Sequence, residues 1–253
     1  MKKAWLFLLF LPFILLASCK QQMLAPTELN EIDKAYQTQQ LFIQQLNKNI
    51  IGYKAGLTSS AGQAKFGVTE PVAGVLFKDG LSLNRQVYLL EDYQRLMLET
   101  EIGFVLNSDI PNFAVFPKDV SGFIEQVVPV IELPDLAYPD MSKVTGLTLI
   151  ESNVAANQVL IGDGKPLQEI QLNKIQTRLT KNGQMVIQGK ATDAMSDQLI
   201  ALRWLMMRLQ SAGYQLKKGD LLITGALGKM IPAERGQYDA DFGELGHLSF
   251  SIR

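Results

Sequence analysis

The chain predicts an α+β fold, and three observations carry that expectation. Short apolar runs rich in Val, Ile and Leu outnumber segments of helical period. Nothing in their order shows the regular strand–helix alternation of a doubly wound or barrel fold. The last part of the chain, GDLLITGALGKMIPAERGQYDADFGELGHLSFSIR, alternates short strands with Gly-rich turns. There is no internal repeat, and the glycines of TGALG lack the G-x-G-x-x-G spacing of a phosphate cradle.

At the N-terminus, Lys2 and Lys3 precede an apolar run over residues 4–17, which ends in Leu16-Ala17-Ser18-Cys19. The run is shorter than the roughly 20 residues a membrane-spanning helix needs, so residues 1–18 read as a secretory signal. LASC resembles the bacterial lipobox, whose cysteine becomes the first residue and receives lipid. Cys19 is the only cysteine, which rules out an internal disulfide and gives it lipidation and membrane anchoring as its expected role. Lys20 stands where an aspartate would favour the inner membrane, so the expected address is the outer membrane, facing the periplasm. Residues 19–26 read as a tether and 27–253 as one domain, given usual domain sizes of about 100–200 residues.

Ile32, Ala35, Tyr36, Phe42, Ile43 and Leu46 recur near helical spacing and predict an amphipathic helix packed on the body. IIGYKAGLTSSAGQAKFGV reads as strand, turn and short helix, with Gly52 and Gly56 flanking Lys54. VAGVLF, QVYLL and MLETEIGFVL are strands, a helix is expected around DVSGFIEQVV, and VPVIEL is a strand after it. GLTLIESNVAANQVLIGDG reads as loop-rich. Asn182-Gly183 between alternating apolar runs marks a hairpin. SDQLIALRWLMMRLQSAG is the clearest helix, capped by Ser196 or Asp197 and stopped at Gly213, with Leu199, Leu202, Met206 and Leu209 as its core stripe.

Charge and composition narrow the chemistry. Lys and Arg number 24 against 25 for Asp and Glu, so no basic excess exists to hold a phosphate backbone, which argues against a nucleic-acid partner. With His247 the only histidine, a histidine-rich zinc site cannot be built, and that residue reads as a strand or surface position. Glu99 and Glu101 are more informative. In a strand they share one face with Met97 and Gly103, while Leu98, Thr100, Ile102 and Phe104 line the other. Two carboxylates held side by side in a partly buried site repel and lose hydration unless a cation compensates them. Glu132, after the next apolar run, is a third candidate donor. An all-oxygen set favours a hard ion, Mg²⁺ or Mn²⁺. By itself an isolated E-x-E is more often the wet face of a half-exposed strand.

Taken in order, GYKAGLTS, GVTEPVAGVLF, LETEIGFVL, VIELPDL, NVAANQVLIG, GDLLITGALGKMIPAERG and ADFGELGHLSFSI resemble the 2-keto-4-pentenoate hydratase and 4-oxalocrotonate decarboxylase family of the fumarylacetoacetate hydrolase superfamily. The likeness spans nearly the whole domain. It implies a fumarylacetoacetase-like mixed β roll with peripheral helices, and metal ligands at Glu99, Glu101 and Glu132. It also implies a catalytic Lys54, substrate contacts from Asn153, Thr224, Gly225 and Leu227, and a closed homo-oligomer. The implied activity is that of a metal-dependent hydratase acting on a small 2-oxo acid such as 2-hydroxypenta-2,4-dienoate. A decarboxylase, a carbon–carbon hydrolase and a non-catalytic binding lipoprotein are the alternatives.

Three positions depart from the family pattern. Pro71-Val72-Ala73-Gly74 replaces P-D-F-G, Met97 stands where an arginine usually precedes the acidic pair, and Ser196-Asp197-Gln198 replaces G-H-P. Asp79 and Glu70 are the carboxylates that could substitute for the one lost at Val72.

Overall fold

The computed structural model describes residues 30–253. The signal and tether expected over 1–26, and Cys19 within them, lie outside the described residues. Among the described residues, no helix is long and apolar enough to cross a membrane.

Among the described residues there are four α-helices: α1 (Glu31–Leu46), α2 (Ser60–Phe66), α3 (Gly146–Glu151) and α4 (Gln198–Ser211). The strands are β1 (Ile50–Gly56), β2 (Val72–Phe77), β3 (Leu81–Leu83), β4 (Val87–Tyr88), β5 (Met97–Leu106), β6 (Ile124–Leu133) and β7 (Gln158–Ile161). They continue with β8 (Gln176–Lys181), β9 (Gln184–Lys190), β10 (Leu221–Ile223), β11 (Ile231–Pro232), β12 (Gly236–Asp241) and β13 (His247–Ile252). An eight-stranded mixed sheet runs β2-β1-β10-β5-β6-β7-β3, with β11 added to β5, and a five-stranded sheet runs β4-β13-β12-β8-β9.

The long central strands β5 and β6 are buried on both faces, which accounts for their near-continuous apolar composition. One face of β5, through Leu98, Ile102, Phe104 and Leu106, joins the main core. The other carries Glu99 and Glu101 at one end. Toward the opposite end it packs in a smaller apolar cluster with Val128, Val130, Leu221 and Ile223. The centre of the sheet is therefore largely apolar on both sides, with Lys54, Thr100, Glu101 and Glu132 as its buried polar exceptions.

Local chemistry explains the ends of the elements. The Asn30 side chain caps α1 by accepting from the Asp33 N–H at 2.8 Å, and Ala35, Tyr36, Gln39 and Ile43 form its buried stripe. Phe42 and Leu46, expected on that stripe, turn outward. Asp197 is the cap of α4, accepting from Leu199 and Ile200, and Gly213 follows the helix in the left-handed region at φ 82°. Asn182 and Gly183 both take positive φ in the β8–β9 hairpin, as a two-residue turn of that hand requires.

Two expectations are corrected. DVSGFIEQVV forms no α-helix; after a three-residue 3₁₀ turn at Ser121–Phe123, Ile124 begins β6. The β-branched run there is recruited into the ladder with β5, and long-range pairing overrides the local pattern. GLTLIESNVAANQVLIGDG is more structured than a loop: it holds α3, a left-handed turn at Asn153–Ala155 and β7.

Candidate active site

Strand parity brings Glu99 and Glu101 to one face of β5, and the antiparallel register sets Glu132 of β6 directly opposite Glu99. One oxygen from each of the three carboxylates lies within 4.8 Å of the other two. Glu101 and Glu132 are fully buried and Glu99 is half-buried. Burial, reinforced by the neighbouring Glu132, pushes the Glu99 carboxyl up to about 7. The same causes hold Glu101 well above the usual carboxylate range.

Two cationic or donor groups answer part of this charge. Lys54 of β1 is 3% exposed, and its Nζ donates to Glu132 Oε1 and, at 3.3 Å, to the Val154 carbonyl. Burial alone would lower its amine; Glu132, Glu99 and Glu101 outweigh that and raise it, so it is an ammonium at neutral pH. On the other side the Gly225 N–H donates to Glu101 Oε2 at 2.8 Å. Glu101 Oε1 and Glu132 Oε2 remain buried with no hydrogen-bond partner among the described residues. A buried carboxylate oxygen without a donor costs several kcal/mol in a fold that otherwise satisfies its polar groups. Two of them pointing into one acidic cluster suit a hard divalent cation, and all three side chains supply the oxygen ligands such an ion takes.

The backbone around Lys54 is held in unusual geometry. Asn153, Val154 and Ala155 all have φ between 53° and 62°. For a β-branched residue such as Val154 this is a strained conformation of order 1–3 kcal/mol, kept only where the surroundings over-determine it. The strain turns the Val154 carbonyl onto the lysine. Asn153 clamps the turn: its Oδ1 accepts from Val75 N at 2.6 Å and its Nδ2 donates to Val75 O at 2.9 Å. Gly74 permits the close approach, since a Cβ there would lie 2.9 Å from the Asn153 carbonyl oxygen.

The four expected substrate contacts therefore do different work. Asn153 is spent on the β2 backbone. Thr224 is buried, its hydroxyl 2.6 Å from Gln198 Oε1 and 3.1 Å from the Ile102 carbonyl. Leu227 packs in the core and donates its N–H to Thr100 O. Gly225 alone touches the acidic trio, at φ 103° and with no room for a Cβ beside Thr58.

A cavity of about 570 Å³ opens beside Lys54 and Glu99, with Leu57, Met97, Leu136 and Met230 among its apolar walls. Three contributors were not anticipated from sequence. Gln198 bridges the Ala191 carbonyl and Thr224, and so steadies the turn that feeds Glu101. The Val154 carbonyl carries no sequence signal at all. Arg95, on the cavity wall, was readable from strand parity, lying two residues before Met97.

No family model matches the chain. It is 28% identical over 223 residues to TodF product hydratase of Pseudomonas putida, covering 87% of this chain and 83% of that protein. It is also 28% identical over 210 residues to a 2-keto-4-pentenoate hydratase of Paraburkholderia xenovorans, covering 81% and 77%. This chain is a homologue of the 2-keto-4-pentenoate hydratases. The fold agrees with that of 4-oxalocrotonate decarboxylase from Pseudomonas putida, solved with magnesium and adipate, at a TM-score of 0.82 and 23% identity over 88% of this chain and 86% of that one. The α+β architecture anticipated for a hydratase homologue is the one observed.

Against the hydratase pattern, the three departures fall into place physically. Val72 is buried and pairs with Gly56, so it presents no carboxylate. Neither possible substitute reaches the cavity: Asp79 is exposed and pairs with Lys48 at 2.7 Å, and Glu70 accepts from Arg208 at 3.3 Å. Met97 lines the cavity beside Glu99. Gln198 opens α4 with its side chain inside the protein rather than at the surface.

Proposed function

We propose that this hydratase homologue is a divalent-metal-dependent hydro-lyase acting on a small 2-oxo or 2-hydroxydienoic acid such as 2-hydroxypenta-2,4-dienoate. The observation that carries the proposal is the pair of partnerless buried oxygens, Glu101 Oε1 and Glu132 Oε2, in a carboxylate trio whose third member, Glu99, lines a cavity together with the Lys54 ammonium. Glu99, Glu101 and Glu132 would hold Mg²⁺ or Mn²⁺. When bound, the ion supplies Lewis-acid stabilisation of negative charge on a chelating 2-oxygen and carboxylate.

The chain's own groups account for the rest. Lys54 lies where it can steady that anion and carry protons, a role worth about 10²–10⁴ in rate. The dienol gives up its hydroxyl proton and takes one at the terminal carbon, becoming a 2-oxo-3-enoate. Water then adds across the remaining double bond, its hydroxyl to carbon 4 and its proton to carbon 3, giving a 4-hydroxy-2-oxo acid. The strained Val154 carbonyl and Glu132 fix the lysine's direction, and the apolar walls exclude bulk water from the reacting chain.

One observation favours a second reading, a binding protein that keeps the fold and metal without turnover: Glu99 is the one carboxylate on the cavity wall, and Val72 offers no other. Loss of dienol absorbance on mixing the Mg²⁺-loaded protein with 2-hydroxypenta-2,4-dienoate decides between them. Turnover supports the lyase; Mg²⁺-dependent oxalate binding without turnover supports the binder; the absence of both rejects the site.

The LASC motif supports a lipid anchor on Cys19, and with Lys20 an outer-membrane protein facing the periplasm. Cys19→Ser then releases the chain from membranes, and a variant that stays membrane-bound rejects the anchor. A closed homo-oligomer is proposed on the family resemblance; sedimentation velocity tests it, and a species of monomer mass alone rejects it.

A further inference from the structure

Gln39 lies within the buried stripe of α1 and is 0% exposed, a placement that costs stability unless each polar atom of the amide finds a partner. All of them do. Its Nε2 donates to the Ala73 carbonyl at 2.8 Å and to the Ile150 carbonyl at 2.9 Å, and its Oε1 accepts from the Tyr214 hydroxyl at 2.8 Å. Carbonyls only accept, so the amide cannot be turned over without losing both donations.

The two carbonyls belong to the two supports of Lys54. β2 is the edge strand beside β1, and Gly74 is the β2 residue paired with Lys54. Ala73 and Val75, on either side of Gly74, have no further strand to pair with, and side chains take its place. The Ala73 N–H donates to the Tyr36 hydroxyl at 2.8 Å, the Ala73 carbonyl accepts from Gln39, and Asn153 holds both backbone groups of Val75. Ile150 lies in the last turn of α3, three residues before the left-handed turn at Asn153–Ala155 that aims the Val154 carbonyl at Lys54. A carbonyl at a helix end is short of donors within the helix, and Gln39 supplies one.

A single amide thus joins the strand on one side of the lysine to the turn on the other. Three consecutive residues at positive φ, one of them β-branched, keep that conformation only while their surroundings over-determine it. Asn153 fixes the turn to β2, and Gln39 fixes β2 to the end of α3. Without Gln39 the turn hinges on β2 alone.

We infer that Gln39 is a positioning residue for Lys54, which holds Ala73 and Ile150 so that the Val154 carbonyl meets the lysine Nζ. Its effect on turnover rests on the proposed catalytic role of Lys54; its effect on how firmly the ammonium is held does not. The metal ligands are set separately, by the β5–β6 ladder and strand parity.

Gln39→Met keeps the length of the side chain and removes both donations. Ile43→Ala, four residues on in the same buried stripe, loosens α1 by leaving a cavity and has no side-chain hydrogen bond to lose, so it is the matched structural control. Two readouts are taken on the full chain, at a temperature where every variant is folded. In dienol turnover with Mg²⁺, Gln39→Met loses about 10–100-fold in kcat at unchanged KM and Mg²⁺ affinity, whereas Ile43→Ala keeps the wild-type kcat. In metal-free protein carrying ¹⁵N-lysine, the Lys54 ammonium resonance is assigned by its disappearance in Lys54→Met. It is observed in the wild type and in Ile43→Ala, where burial shields its protons from water, and is lost to solvent exchange in Gln39→Met. A wild-type kcat in Gln39→Met, equal losses in the two variants, or a Lys54 resonance that survives in Gln39→Met overturns the inference. A wild type without turnover removes the lyase reading, and the resonance then decides alone: selective loss in Gln39→Met upholds the inference, and its absence from the wild type overturns it. Should Gln39→Met not fold, Gln39→Glu, which keeps the shape and the acceptor for Tyr214 but offers at most one donor to the two carbonyls, is read by the same measurements.

Discussion

Glu99 and Glu132 stand directly opposite one another in the β5–β6 ladder, two carboxylates in a position where sheets favour opposite charges or apolar pairs. Like charges across a ladder destabilise it, and burial raises the cost by removing water. Lys54 pairs directly with Glu132 and acts on Glu99 and Glu101 only at longer range, so both of their carboxyls stay raised by burial and by Glu132. An arrangement that costs stability in the empty protein is one whose cost a bound cation recovers.

Glu99→Gln therefore separates stability from binding. The metal-free variant unfolds at the same temperature as the wild type or a higher one, because a like-charge contact is gone. Mg²⁺ at a hundred times its dissociation constant stabilises the wild type by about 2.7 kcal/mol and leaves the variant nearly unmoved. Thermal unfolding with EDTA and with Mg²⁺ reads both effects, and an equal Mg²⁺ shift in the two proteins would reject Glu99 as a ligand.

The pH dependence of the metal-free protein has a definite sign. The Glu99 carboxyl titrates near 7 in the folded chain against an ordinary 4.5, so between those values the folded state binds more protons than the unfolded one. This contribution to stability is full below about 4.5, declines as pH rises, and is gone above about 7. Melting temperatures in EDTA should fall across that window more steeply for the wild type than for Glu99→Gln. Identical slopes would show that Glu99 does not titrate there.

Lys54→Met removes the proton carrier while keeping the length of the side chain. Turnover of the dienol drops by about 10²–10⁴. Removing one partner of a buried ion pair also costs the metal-free fold about 3–5 kcal/mol, since Glu132 is left uncompensated. Single-turnover assays at saturating Mg²⁺, with metal content measured on the same sample, distinguish lost chemistry from lost metal.

Gln198→Ala tests the support behind Glu101. Thr224 loses its 2.6 Å partner and the Ala191 carbonyl loses a donor at 2.7 Å, a destabilisation of about 1–3 kcal/mol. Loosening the turn that presents the Gly225 N–H to Glu101 weakens Mg²⁺ affinity by about 10–100-fold. Metal affinity equal to that of the wild type would make Gln198 a purely structural residue.

The sequence by itself determined what is local. Two-residue periodicity puts Glu99 and Glu101 on one face without any knowledge of the fold, and Asn182-Gly183 and Asp197 mark a hairpin and a helix start through dihedral and capping preferences confined to a few residues. Tertiary structure decided everything that depends on register and strand order. The β5–β6 pairing sets Glu132 against Glu99, and the order β1-β10-β5-β6 brings Lys54 of β1 within reach of Glu132 on β6. Long-range pairing also turned DVSGFIEQVV from an expected helix into the start of β6, and tied Asn153 to Val75, residues 78 apart in the chain. Such pairings are fixed by the combined burial of many distant residues, so no short window of sequence carries them.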